Sequence, residues 1–151
     1  MSNEPKVLYT AEATATGGRE GHARTNDGRL GVDLDVPSEM GGAGGPGTNP
    51  EQLFAAGYAA CFQSALQRVA SGRNLDVSGS RITARVGIGP IESGGFGLSV
   101  GLDLDAPQIE RDVARELMTR AHQMCPYSRA TRGNIDVTLT VGESSFESEA
   151  A

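Results

Sequence analysis

Cys61 and Cys125 are the only cysteines in this sequence and the side chains best suited to covalent chemistry. Cys61 lies near the centre of residues 48–68, TNPEQLFAAGYAACFQSALQR, whose middle is almost free of polar side chains. A thiol in such a place is either a small core hydrophobe or a reagent. Cys125 weighs toward the reagent. It stands at the end of a second helical segment, directly before Pro126, where the backbone can rearrange, and no other partner is available to Cys61. A buried thiol and a mobile one suit oxidation of the first to a sulfenic acid and its condensation with the second to a disulfide. Reactivity requires the thiolate, and Cys61 lies about three turns into its helix, beyond the reach of the dipole, where burial alone raises its pKa. A cation must therefore approach. Arg19, between glycines in TGGREG, has a backbone free enough to swing a guanidinium into an apolar site, although it reads equally well as a solvated loop arginine. Glu51 either orients that arginine or simply places an acid at a helix N-terminus. Ten residues of helix hold Glu51 and Cys61 about 15 Å apart. A shared site then needs a broken helix start, a bridging Arg19, or residues from two subunits.

Other constellations are weaker. His122 and Cys125 have i, i+3 spacing and, with Cys61 and His22, supply the atom types of a zinc site, but they are scattered along the chain, and no bound metal or cofactor is expected. GGAGGPG precedes a helix but lacks the GK[ST] of a phosphate-binding loop, so it reads as a flexible loop. Two histidines leave little material for a serine-type triad.

The elements that must position the thiols follow from periodicity. KVLYTAEATAT, residues 6–16, reads as a strand ending at Gly17-Gly18, and HARTNDGRLGVDLDV as two strands joined by a turn at Asn26-Asp27-Gly28. Met40 to Gly47 is too glycine-rich for a regular element. Asn49-Pro50-Glu51-Gln52 carries a helix start with a capping acceptor, a proline at the first position and a first-turn acid. That helix should run to about Ala70. With no polar stripe between Leu53 and Phe62, it should be buried on all sides, and a second subunit should help to enclose it. Two alternating strands follow, over residues 77–89 and 96–104, joined by a hairpin loop. A second, half-buried helix should begin near Pro107-Gln108 and be stopped by Pro126. A last strand over residues 134–141 precedes an acidic tail. The expected organisation is one α+β domain over residues 1–143, in the order βββ-α-ββ-α-β with largely antiparallel sheets packed around the central helix, and a disordered tail over 144–151.

Composition narrows the function classes. A chain of 151 residues can bury roughly 70% of its unfolded surface in one core. With 19 acidic against 13 basic side chains and a net charge of −6, it should repel nucleic acid and anionic membranes. No stretch has the ~20 apolar residues of a membrane span, and MSNEPK lacks a secretory pattern, so the expected address is the cytoplasm.

TNPEQLFAAGYAACFQSAL, together with AHQMCPYS, ATRGNIDV and the early TGGREG, resembles the organic hydroperoxide resistance proteins, the Ohr branch of the Ohr/OsmC family. The likeness spans nearly the whole chain. It implies a thiol-dependent peroxidase on an intertwined homodimer, acting on organic hydroperoxides. By matched position it implies Cys61 as the peroxidatic cysteine, Cys125 as the resolving one, and Arg19 with Glu51 as the pair that activates the thiolate. It also implies re-reduction by an external dithiol, the lipoyl (dihydrolipoamide) group of a lipoylated protein. Phe54, Tyr58, Phe62 and Phe96 are the expected apolar lining for an alkyl or fatty-acid peroxide. The alternative is a non-catalytic small-ligand-binding or zinc-stabilised domain of the same fold.

Overall fold

The computed structural model describes residues 3–146. They fall into two compact units, one up to Pro50 and the other from Glu51 onward. Together these hold seven strands and three α-helices.

The first unit is a three-stranded antiparallel sheet in the order β1 (Ala13–Thr16), β2 (His22–Thr25), β3 (Gly31–Asp33). Strand β1 is shorter than its composition suggests. Its partner β2 has only four residues before the chain turns, so the ladder has nothing to pair with upstream, and Val7, Leu8 and Tyr9 are exposed. The β2–β3 turn is held by the Asp27 carboxylate, which accepts from Thr25 Oγ1 at 2.8 Å and from the Arg29 N–H at 3.0 Å. Residues 41–47 form no helix or strand, as their glycine-rich composition implies. Residues Ser38–Met40 form a single 3₁₀ turn, and the Asp35 carboxylate accepts from the Gly47 N–H at 2.5 Å. A Cβ on Gly47 would stand 2.6 Å from that carboxylate, so glycine here permits close approach.

The second unit packs α1 (Pro50–Gly72), α2 (Arg111–Met124) and α3 (Pro126–Thr131) with a four-stranded sheet in the order β4 (Arg81–Pro90), β5 (Phe96–Asp105), β6 (Val137–Val141), β7 (Ser144–Phe146). The sheet is mixed. The β4–β5 and β6–β7 pairs are antiparallel, but β6 runs parallel to β5 because two helices intervene and carry the chain back to the same end. Tyr58, Phe62, Ala65, Leu66, Val69 and Ala70 form the buried stripe of α1. They meet Leu102, Leu104, Leu117, Met118 and Leu139 in the core.

Within the chain, helix α1 leaves Ala56, Ala60 and Ser64 exposed, on the side that a second subunit was expected to cover. Two expectations need correction. Pro126 does not merely stop a helix; it occupies the first turn of α3, where its missing N–H costs nothing. The chain also remains ordered past residue 143. Gly142 and Glu143 both have positive φ, as a tight hairpin turn requires, and buried Asp103 accepts from the Glu143 N–H at 2.6 Å. Phe146 then packs against the core with the Arg115 guanidinium 5.9 Å from its ring centroid. The rest of the expected tail, residues 147–151, lies outside the described residues. Among the described residues no helix is long and apolar enough to cross a membrane.

Leu66 is fully buried where α1 meets the sheet and α2. Leu66→Ala should lower the unfolding free energy by about 2–5 kcal/mol, measured by urea denaturation; a loss under ~1 kcal/mol would show that this contact does not hold α1 in place.

Candidate active site

Helix α1 carries Cys61, and the joint between α2 and α3 carries Cys125. The two sulfurs are 3.6 Å apart, the Cys125 thiol donating toward Cys61, and both cysteines are free. Cys125 is fully buried and Cys61 partly so. The joint is well defined. Cys125 has an extended backbone (φ −66°, ψ 126°) and serves as the last cap of α2 and the first of α3. Its N–H donates to the Ala121 carbonyl at 2.8 Å, and its carbonyl accepts from the Arg129 N–H at 3.0 Å. A break of one residue between two helices thus aims a side chain at α1.

Burial pushes the Cys61 thiol above its ordinary pKa of 9.0, the contact with Cys125 adds to the rise, and a hydrogen bond from the Tyr127 backbone N–H opposes it. The second unit therefore holds Cys61 protonated. Tyr127 was not singled out from the sequence. Its ring packs edge-on against Tyr58 and Phe54, with centroids 5.7 and 6.1 Å away. It also lies over Gly57, where a Cβ would come within 3.2 Å of its hydroxyl. The lone glycine in an alanine-rich helix face, and the aromatic after Cys-Pro, were the available signals.

Behind the thiols lies a buried polar cluster that the sequence reading also missed. Ser128 Oγ stands 2.7 Å from the Tyr58 hydroxyl and 2.8 Å from His122 Nδ1. Thr131 Oγ1 donates to the Ser128 carbonyl at 3.1 Å and lies 3.3 Å from the Tyr58 hydroxyl. Burial, reinforced by the Arg132 charge, lowers the His122 pKa. A neutral imidazole fits this cluster, with one proton shared in each of the Tyr58–Ser128 and Ser128–His122 bonds. Burial raises the Tyr58 pKa, keeping the phenol a donor.

The other expected residues are distributed as follows. Arg19 is half-buried in a 3₁₀ turn, Gly18–Glu20, of the first unit, preceded by Gly17 and Gly18 with positive φ. Glu51 stands in the first turn of α1. Phe54 and Phe96 line one groove of about 800 Å³, with Ile88, Ile91, Leu98 and Ile135. Tyr58 and Phe62 instead belong to the core, both fully buried, because they fall on the inner stripe of α1. His22 pairs with Asp33 at 2.9 Å in the first unit, whereas His122 is engaged by Ser128. Among the described residues no three His, Cys, Asp or Glu side chains gather as a metal site would need.

The neutral His122 makes stability pH-dependent. Its folded pKa lies below the usual 6.5, so the unfolded chain takes up the proton first as pH falls. The contribution is complete above about pH 7 and is lost progressively below 6.5. The urea midpoint should therefore decline between pH 7.5 and 5.5, and His122→Asn should flatten that decline; equal slopes in both proteins would contradict a buried neutral imidazole.

The family model described as OsmC-like protein matches residues 41–140. An organic hydroperoxide resistance protein of Xanthomonas axonopodis pv. citri is 56% identical over 142 residues, covering 93% of this chain and 99% of that one. Among solved structures, an organic hydroperoxide resistance protein from Elizabethkingia anophelis, crystallised with thiocyanate, matches with a TM-score of 0.85 and 51% identity, covering 91% of this chain and 98% of the other. The organic hydroperoxide resistance protein OhrB of Bacillus subtilis matches with a TM-score of 0.83 and 48% identity, covering 89% and 99%. With its paired thiols set on this α+β framework, the chain belongs to the Ohr/OsmC family, on the organic hydroperoxide resistance branch.

Proposed function

We propose that the chain is a thiol-dependent peroxidase that reduces organic hydroperoxides to alcohols. The observation that carries this reading is the contact of 3.6 Å between two unlinked sulfurs, one partly accessible and one fully buried. The names of the relatives support the substrate class. In the first step the Cys61 thiolate attacks one peroxide oxygen, the O–O bond breaks, and the alkoxide leaves as the alcohol after taking up a proton. Cys61 is now a sulfenic acid. Cys125 attacks its sulfur and loses the thiol proton, hydroxide departs as water, and a Cys61–Cys125 disulfide forms. An external dithiol, in this reading a lipoyl group on a lipoylated protein, returns both cysteines to thiols by exchange.

The raised pKa of Cys61 within its own unit means that the thiolate needs a cation. Arg19 is assigned that role, with stabilisation of the developing alkoxide, and Glu51 the role of orienting it. The apolar groove with Phe54 and Phe96 suits an alkyl or fatty-acyl chain at roughly 25 cal/mol per Å² buried. The exposed small-residue side of α1 suits a homodimer whose second copy covers it.

With dihydrolipoamide as reductant, the protein should consume an alkyl hydroperoxide catalytically, and Cys61→Ser should abolish turnover. Ligand binding with no turnover would instead favour a binding module whose cysteines are silent. Arg19→Ala should slow alkylation of Cys61 near neutral pH by about tenfold or more, the effect of removing a nearby opposite charge; an unchanged rate would remove Arg19 from the mechanism.

A further inference from the structure

The polar cluster behind the thiols is tied to both of them by helical spacing. Tyr58 lies three residues before Cys61 on α1, His122 three before Cys125 on α2, and Ser128 three after Cys125 on α3. All three helices therefore meet at one atom, Ser128 Oγ, which bonds to Tyr58 at 2.7 Å and to His122 at 2.8 Å. Tyr58 and Ser128 are completely buried, and His122 nearly so. A second cross-link closes the α2–α3 joint: Arg132 Nη2 donates to the His122 carbonyl at 2.5 Å. Cys125 is the hinge between α2 and α3. The Cys125 thiol and the Tyr127 N–H reach α1 at Cys61, the atom that is oxidised; the Tyr58 hydroxyl ties the joint to α1 at a separate point, one that oxidation leaves unchanged.

The sulfurs stand 3.6 Å apart, at the outer edge of a near-attack separation. A disulfide requires about 2.05 Å. Oxidation of Cys61 opens a competition. Either the Cys125 sulfur attacks the sulfenic sulfur, an S–S bond forms, the S–O bond breaks and water leaves, or a second hydroperoxide oxidises the sulfenic acid to sulfinic acid and is itself reduced to the alcohol. The second product is a dead end. A small drift of the joint away from α1 would favour it.

We propose that the Tyr58 hydroxyl, bonded to Ser128, is a positioning group that holds Cys125 in attack range of oxidised Cys61 and thereby suppresses overoxidation. The proposal rests on the reading of Cys61 as the peroxide-reactive thiol. It assigns Tyr58 a role in the second step alone, because the residue is fully buried and its hydroxyl is engaged by Ser128 and Thr131. Its effect is transmitted through Ser128 to the neighbouring hinge.

The test uses the full-length reduced protein, its Tyr58→Phe and Ser128→Ala variants and the double variant, each mixed with cumene hydroperoxide at increasing excess. Mass spectrometry then quantifies Cys61 as disulfide or sulfinic acid, and first-turnover peroxide loss reports the first step. The expected result is a first step within about twofold of wild type and a sulfinic fraction per equivalent raised by about three- to tenfold, the factor that one net hydrogen bond represents. The double variant should be no worse than the more affected single one, since both remove the same bond. If Tyr58→Phe does not fold, Ser128→Ala reads the same tether, with thermal unfolding as the control. A wild type that forms the disulfide beside folded variants with the same partition overturns this proposal alone, as does a first step slowed with the partition unchanged. A wild type whose Cys61 is not oxidised overturns the peroxidase reading and this proposal with it.

Discussion

The approach of two thiols to 3.6 Å is the constraint on which the second unit depends. One comes from the middle of a 23-residue helix and the other from a one-residue break between two helices. Neither could reach the other without the packing that fixes α1 against α2 and the sheet. The Tyr58 and Phe62 rings, on the same helix as Cys61, fill that packing, so the stripe that anchors α1 also sets the height of its thiol. The break at Cys125 is made by Pro126, whose ring disfavours helical backbone at the residue before it and starts the next helix.

Electrostatics and packing pull in opposite directions at this site. Burial brings Cys61 within reach of Cys125 but pushes its thiol pKa up. The Tyr127 N–H offers a partial correction from within the unit. The proposed mechanism assigns the full positive charge that a thiolate needs to Arg19, which is held on a glycine turn of the first unit. The buried polar cluster has a different character: Tyr58, Ser128 and His122 pair with one another, and burial together with the nearby Arg132 charge favours a neutral His122.

Much of this arrangement was legible in the sequence because its signals are local. The start of α1 at Asn49-Pro50, the alternation in β4 and β5 and the pairing of Cys61 with Cys125 rest on capping chemistry, on period-two patterning and on there being just two cysteines. Other features depend on partners distant in the chain. Strand β1 ends where β2 runs out of residues, not where its own β-formers end. Tyr58 and Phe62 read as a pocket wall because aromatic side chains beside a reactive thiol suit either a wall or a core, and only the packing of α1 decides. Strand β7 hides inside an acidic tail, since its order comes from Asp103 and the ring of Phe146. Ser128 gives no warning at all: a serine after Cys-Pro-Tyr becomes a junction only when α1 is laid beside it.

The central claim is that proximity of the two sulfurs is chemical and not merely structural. The most direct measurement is the mass of the Cys61 and Cys125 peptides after one equivalent of an alkyl hydroperoxide has been added to the fully reduced protein. The account predicts a single cross-linked species in which those two peptides are joined with the loss of two hydrogens, formed as the peroxide disappears. Two free thiols beside unconsumed peroxide would contradict it.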